Sequence, residues 1–251
     1  MDHRVPSGPH QLGAHLAEPP PGPGRVPGLV LCHGFPVRGR EAPASGKSFP
    51  ELADRIAAEM GWRVLTINFR GCGRSGGDFS MSGWVEDVAA AVAHLRERDV
   101  SGVWLAGTGT GGAVVLAAAA RDAQVRGVVT LAAPADFDDW ARHPRRLLQH
   151  ARQVGVIRSD PFPPDFDRWV ADFRDLTAVR SAAELGGRSL LVMHGDSDDL
   201  VPALDARLIA DAHGSAELRI IGGAGHELRH DPRAVAILLG WLSRQRHGRT
   251  G

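Results

Sequence analysis

The stretch VWLAGTGTGGAVVLAAAA, residues 103–120, is an apolar run that breaks into glycines and then resumes as a helix former. It supports two readings. Gly107, Gly109 and Gly112 spell G-x-G-x-x-G, the turn between strand and helix on which a dinucleotide pyrophosphate rests. Gly107 and Gly111 are equally the outer glycines of G-x-S-x-G, the strained turn that displays a nucleophilic serine. Under the second reading, the nucleophile position holds Gly109.

The rest of the chain bounds the choice. Its 251 residues suit one domain with a large core. Lys plus Arg number 29, as do Asp plus Glu, so no net charge points to nucleic acid or to an anionic membrane surface. No apolar segment approaches the roughly 20 residues that a membrane span needs, and the N-terminus has no apolar signal core. Two cysteines, Cys32 and Cys72, do not make a disulfide framework, so the expected compartment is the cytoplasm.

Strands and helices alternate. Residues 1–27 are a Pro/Gly-rich segment in which QLGAHLA suggests an edge strand. GLVLC, WRVLTINF, GVWLA, VRGVVTLAA, SLLVMH and AELRII follow as strands. Helices separate them, the first opened by a capping box of Ser48 and Glu51 and stopped by Gly61. Asp231 and Pro232 supply the N-cap and first turn of the last helix. The pattern predicts an α/β fold, a mostly parallel sheet with helices on both faces. Its core comprises residues 28–133 and 188–246. Residues 134–187 contain no convincing strand; Phe166, Trp169, Val170 and Phe173 fall at helical spacing, and the segment reads as a helical cap.

Ligands in such sheets lie beyond the carboxyl ends of the strands, so residues just after strands carry the chemistry. HGFP follows the first buried strand, and its turn leaves the N–H groups of Phe35 and Gly34 to face a developing oxyanion. In NFRGCGRSGG, Ser75 reads as a turn residue, and Cys72 is placed near Cys32 by neighbouring strand ends, as a small side chain or a thiol nucleophile. HGDSDDLVP offers Asp198 to orient an imidazole, with Asp196 and Asp199 as solvated neighbours or loop caps. GGAGHELRHDP places His226 at a glycine-freed tip. HELRH, His226 to His230, also matches the H-E-x-x-H zinc signature, with His247 as a third candidate ligand. Zinc binding needs one continuous helix there, and the flanking GGAG and Asp231-Pro232 argue against it.

The elbow reading explains more than the dinucleotide reading, although Asp136 stands near the position of a ribose-binding acid. It accounts for an oxyanion turn upstream, a cap, and an acid and a histidine downstream, in that order. With HGFP, NFRGCGRSGG, HGDSDDLVP and GAGHE, the sequence resembles the α/β-hydrolase family of serine hydrolases, in its esterase- and aminopeptidase-like branch, from about Gly28 to Trp241.

The resemblance implies roles. Asp198 takes the place of the acid and His226 that of the base, while the N–H groups of Phe35 and Thr110 form the oxyanion hole. Gly34 and the cap aromatics Trp140, Phe166 and Trp169 are the candidate substrate contacts, and the cap arginines (among them Arg142, Arg145 and Arg146) form a basic face. Gly109 departs from the family pattern by deleting the hydroxyl while keeping a turn that glycine adopts readily. Thr108 and Thr110 sit on either side of the tip and point elsewhere. Three expectations follow: a hydrolase with impaired or altered chemistry in which His226 and Asp198 activate water, a non-catalytic binder of a small ligand or partner, and a dinucleotide-binding protein. The first two require no cofactor and no metal, and the expected partner is a small acyl substrate or ligand.

Overall fold

The computed structural model describes residues 3–37 and 48–247. The His247 side chain, weighed above as a zinc ligand, lies outside the described residues. The described strands are β1 (His3–Ser7), β2 (His10–Ala17), β3 (Gly28–Cys32), β4 (Arg63–Ile67), β5 (Val103–Thr108), β6 (Val125–Leu131), β7 (Ser189–Gly195) and β8 (Glu217–Ile221). They form one sheet in the order β1-β2-β4-β3-β5-β6-β7-β8. From β4 through β8 every pairing is parallel, and β1 and β2 add antiparallel at the β4 edge.

The order reverses at β3, since the chain runs from β3 to β4 on one side and returns to β5 on the other. Cys32 sits in register with both Ile67 and Gly107, so the turns after these three strands emerge at one level. That reversal is where an α/β sheet opens a crevice.

Alternation along the strands divides the core. Leu29, Leu31, Val64, Trp104, Val129 and Met193 face α1 (Phe49–Met60) and α9 (Pro232–His247). Val30, Cys32, Leu65, Leu105, Val128 and Val192 face α2 (Met81–Arg96), α3 (Thr110–Arg121) and α8 (Ala203–His213). Every residue of β3 is buried, as its unbroken apolar run requires for a central parallel strand.

Four helices lie between β6 and β7: α4 (Asp138–Arg142), α5 (Pro144–Gln153), α6 (Phe166–Asp175) and α7 (Ala178–Glu184). Of these, α4 packs on α5 and α6, and α6 packs on α2, whereas α7 packs on α3 and α8 with the helices of the sheet. No helix among the described residues is long and apolar enough to cross a membrane.

Local chemistry overrides two expectations. The segment before residue 17 is a hairpin rather than a lone edge strand; β1 carries Pro6 and a single core residue, Val5, so it has almost no apolar signature. Proline is tolerated there because β1 is the outer strand of the sheet. Ser48 forms no cap: its backbone is helical rather than extended, and its Oγ accepts from Arg229 Nε at 3.0 Å. Gly61 does end α1, in the left-handed conformation at φ 68°, and Asp231 Oδ1 accepts the Arg233 N–H at 2.8 Å to cap α9.

A buried ion pair ties the hairpin to α2. Asp87 Oδ1 accepts from Arg70 Nε (3.0 Å), from Arg70 Nη2 (2.8 Å) and from Ser7 Oγ (2.7 Å), and Oδ2 accepts the Arg70 N–H at 2.8 Å.

Candidate active site

Gly109 caps α3 with φ 51° and ψ −129°. An L-residue holds such a conformation at a cost of about 1–3 kcal/mol, and glycine does not pay it. The turn is fixed by the Gly109 N–H donating to Leu131 O at 2.8 Å and by the Gly112 N–H donating to Gly109 O at 2.9 Å. The surrounding glycines are demanded by contact rather than by phosphate. A Cβ on Gly107 would lie 2.3 Å from Gly111 O, one on Gly111 would lie 2.1 Å from His33 O, and one on Gly112 would lie 2.7 Å from Ala133 Cβ. Asp136, weighed as a ribose ligand, is exposed and caps its own turn by accepting the Asp138 N–H.

The tip of the turn faces an imidazole. A Cβ built on Gly109 stands 3.3 Å from His226 Nε2 and 3.6 Å from its Cε1. His226 follows β8, its side chain 22% exposed, and its Nδ1 lies 2.9 Å from Asp198 Oδ2. Asp198 follows β7 with its side chain fully covered, and Oδ1 accepts the N–H groups of Leu200 (2.9 Å) and Val201 (3.0 Å). Burial pushes this carboxyl up, but the hydrogen bonds from Val201, Leu200 and His226 outweigh it and hold the group below its ordinary value. Such a carboxylate keeps the proton of His226 on Nδ1 and leaves Nε2 facing the elbow as an acceptor.

The turn after β3 closes the other side. A Cβ on Gly34 would come within 2.9 Å of Thr108 O and 3.6 Å of Gly109 Cα. Neither the Phe35 N–H nor the Thr110 N–H has an acceptor among the described residues. Thr110 is the first residue of α3, where an N–H has no intrahelical partner. His33, to which the sequence assigned no role, braces the turn by donating from Nδ1 to Gly34 O at 2.7 Å and accepting the Phe69 N–H on Nε2 at 3.2 Å. Burial is the main cause that pushes its pKa down to about 4, with Arg229 adding to the shift and the Gly34 hydrogen bond opposing it.

The aromatics of α4 and α6 divide. Trp140 packs edge-on against Phe35, ring centres 5.1 Å apart, and is only half-buried. Trp169 packs inward. It is 3% exposed, its Nε1 donates to Phe79 O at 3.1 Å, and it packs on Phe173, so it is spent on joining α6 to the core. Phe166 stands farther out, against Trp169 and beneath the Arg145 guanidinium at 5.8 Å. Helical spacing gives a common face but not what that face meets.

Other candidates take structural places. Cys32 and Cys72 are buried and form no disulfide; burial first, and then the Asp87 charge, push the Cys32 thiol up, away from thiolate chemistry. Ser75 is a turn residue whose Oγ accepts the Gly13 N–H at 2.9 Å. Asp196 Oδ1 accepts the Gly223 N–H and so shapes the loop that carries His226, and Asp199 is exposed. Within HELRH only Leu228–His230 is helical, as one 3-10 turn, and His226 Nδ1 is engaged by Asp198. Among the described residues no three His, Cys, Asp or Glu side chains group as metal ligands. The sequence reading passed over one imidazole at the site, His194, whose Nε2 is 3.2 Å from Asp198 Oδ2.

Known proteins share this arrangement of elements. The chain is 25% identical over 240 residues to pimeloyl-[acyl-carrier protein] methyl ester esterase of Xanthomonas oryzae pv. oryzae, covering 81% of this chain and 89% of the relative. It is 25% identical over 247 residues to monoacylglycerol lipase of Mycolicibacterium smegmatis, covering 84% of each. Among solved structures, Est1E from Butyrivibrio proteoclasticus superposes with a TM-score of 0.72 at 19% identity over 97% of this chain and 96% of that one. Proline iminopeptidase from Mycobacterium smegmatis superposes with a TM-score of 0.70 at 17% identity, covering 98% and 99%. The model of the alpha/beta hydrolase fold family matches residues 27–185, well over half of the sequence, and the chain therefore belongs to the α/β-hydrolase fold family.

Proposed function

We propose that the protein is an acyl-ester hydrolase by descent whose covalent step is lost, and whose His226–Asp198 couple acts as a general base on water. One observation carries this reading: the position of a residue-109 Cβ lies 3.3 Å from His226 Nε2, so base and elbow face each other with no hydroxyl between them. In this mechanism a water beside Gly109 gives a proton to His226 Nε2 and attacks the acyl carbon. The N–H groups of Phe35 and Thr110 receive the oxyanion. The proton then passes from His226 to the leaving alcohol, while Asp198 holds the imidazole in place throughout. The helices α4 to α6 act as a cap, with Trp140 and Gly34 lining the crevice.

Oxyanion stabilisation and binding without a covalent nucleophile supply about 10³–10⁴-fold over water, far below a working serine hydrolase. Relatives named as a methyl ester esterase and a monoacylglycerol lipase support a small acyl ester as the substrate class. The second reading, a binder of a small ligand without turnover, is favoured by the missing hydroxyl itself.

A short-chain ester assay separates the two. Gly109→Ser should gain hydrolysis well above the native protein, and Gly109→Ser/His226→Ala should lose that gain. Weak native hydrolysis abolished by His226→Ala supports the water route; no native hydrolysis supports the binder. Labelling of the native protein by a serine-directed phosphonate would overturn the site assignment.

A further inference from the structure

We infer that His194 is a second imidazole acting on Asp198, a positioning residue that fixes the carboxylate against which His226 is aligned. His194 lies near the end of β7, with its side chain fully buried. Its Nε2 stands 2.9 Å from Val201 O and 3.2 Å from Asp198 Oδ2. A nitrogen facing two oxygens is held there only if it carries the proton, so the ring is the Nε2–H tautomer, its hydrogen bonded to Val201 O and turned toward the carboxylate side of the loop. Its Nδ1 is buried without a hydrogen-bond partner, as an unprotonated nitrogen in an apolar core can be.

The consequence is specific to one oxygen. Asp198 Oδ2 accepts the His226 Nδ1–H at 2.9 Å and has the His194 Nε2–H edge against it at 3.2 Å, while Oδ1 receives the N–H groups of Leu200 and Val201. Three hydrogen bonds, with the polar edge of His194 against Oδ2, restrict the turning of the carboxylate plane. The same imidazole grips Val201 O, so the loop supplying the Oδ1 donors and the carboxylate itself are referred to one rigid strand end. His194 touches no reacting atom; it acts through Asp198 on the direction in which His226 presents Nε2 to the elbow.

This inference rests on the proposed roles of Asp198 and His226, and its test does not require turnover. In the native protein, nitrogen-15 spectra should show His194 protonated at Nε2, and Asp198→Asn should shift that N–H resonance. A His194 protonated at Nδ1, or an Nε2–H signal indifferent to Asp198→Asn, would overturn the inference, because contact with Val201 alone would then explain the residue. His194→Phe should broaden or move upfield the His226 Nδ1–H signal, and His194→Gln, which restores a donor, should recover it.

In the Gly109→Ser background, His194→Phe should lower kcat by about 10- to 100-fold, the range seen when a partner one step behind the working group is removed, with KM nearly unchanged. An unchanged His226 signal and kcat in a folded His194→Phe protein would refute the positioning role. If that variant does not fold, the native tautomer and the Asp198→Asn shift still decide. If Gly109→Ser shows no hydrolysis, the proposed function fails, while the spectra still judge His194.

Discussion

Asp87 and Asp198 are both carboxylates with fully covered side chains, yet they serve opposite ends. Asp87 is closed on the Arg70 guanidinium, a partner that does not give up its proton in a protein, and on the Ser7 hydroxyl. That cluster works as a clasp between hairpin, loop and helix. Asp198 is closed on imidazoles and backbone N–H groups, and one of those imidazoles keeps an edge in the crevice. Burial is common to the two; what separates them is whether the partner can exchange a proton with something outside, as the proposed role of Asp198 requires.

Substitution should split the pair. In the Gly109→Ser protein, Asp198→Asn should reduce kcat by about 10³–10⁴-fold in the ester assay, the scale known for the acid of serine-protease triads. Asp87→Asn should leave the kcat of the folded protein within about twofold. A collapse of kcat in Asp87→Asn would erase the distinction.

Stability should run the other way. Removing the charge from Asp87 leaves the buried Arg70 guanidinium only the exposed Glu86 carboxylate, 3.0 Å away, as counter-ion, so denaturant unfolding should show a loss of up to about 3–5 kcal/mol.

Acid should then separate a third buried group from both. His33 has a folded pKa of about 4 against an ordinary 6.5, so between these values the unfolded chain binds the extra proton and stability falls with pH. The expected loss is about 3 kcal/mol from pH 6.5 to 4, levelling off below, read from urea midpoints across pH. Asp198 acts in the next window down: its depressed carboxyl contributes stability above the ordinary value of 3.8, lost as pH falls through the lower folded value. His33→Asn should flatten the first slope and leave the second.

The parts legible in the sequence were those with a periodic or punctuated signature. GLVLC could only be a buried strand, and Asp198 and His226 were exposed by glycine-tipped loops after strands. What stayed hidden lacks such marks. β1 offers one core side chain and a proline. Arg70 and Asp87 belong to no motif or periodic pattern, and their cluster exists only once folding brings Ser7 beside them. His194 closes an apolar run and looks like any core histidine, because its meaning comes from a loop that turns back on it at Val201. Ser48 satisfied a capping pattern, but Arg229, distant in sequence, claims its hydroxyl.

The antiparallel hairpin at the start of the chain has a bearing on how the protein can be handled. β2 occupies the hydrogen-bonding edge of β4, and β1 in turn presents a short outer strand interrupted by Pro6. A version truncated to begin after Ala17 would bare the Arg63–Ile67 backbone, a template for docking a second molecule by strand addition. Such a product should gather into dimers or precipitate however sound its crevice, so a purification tag belongs ahead of the hairpin and never in its place.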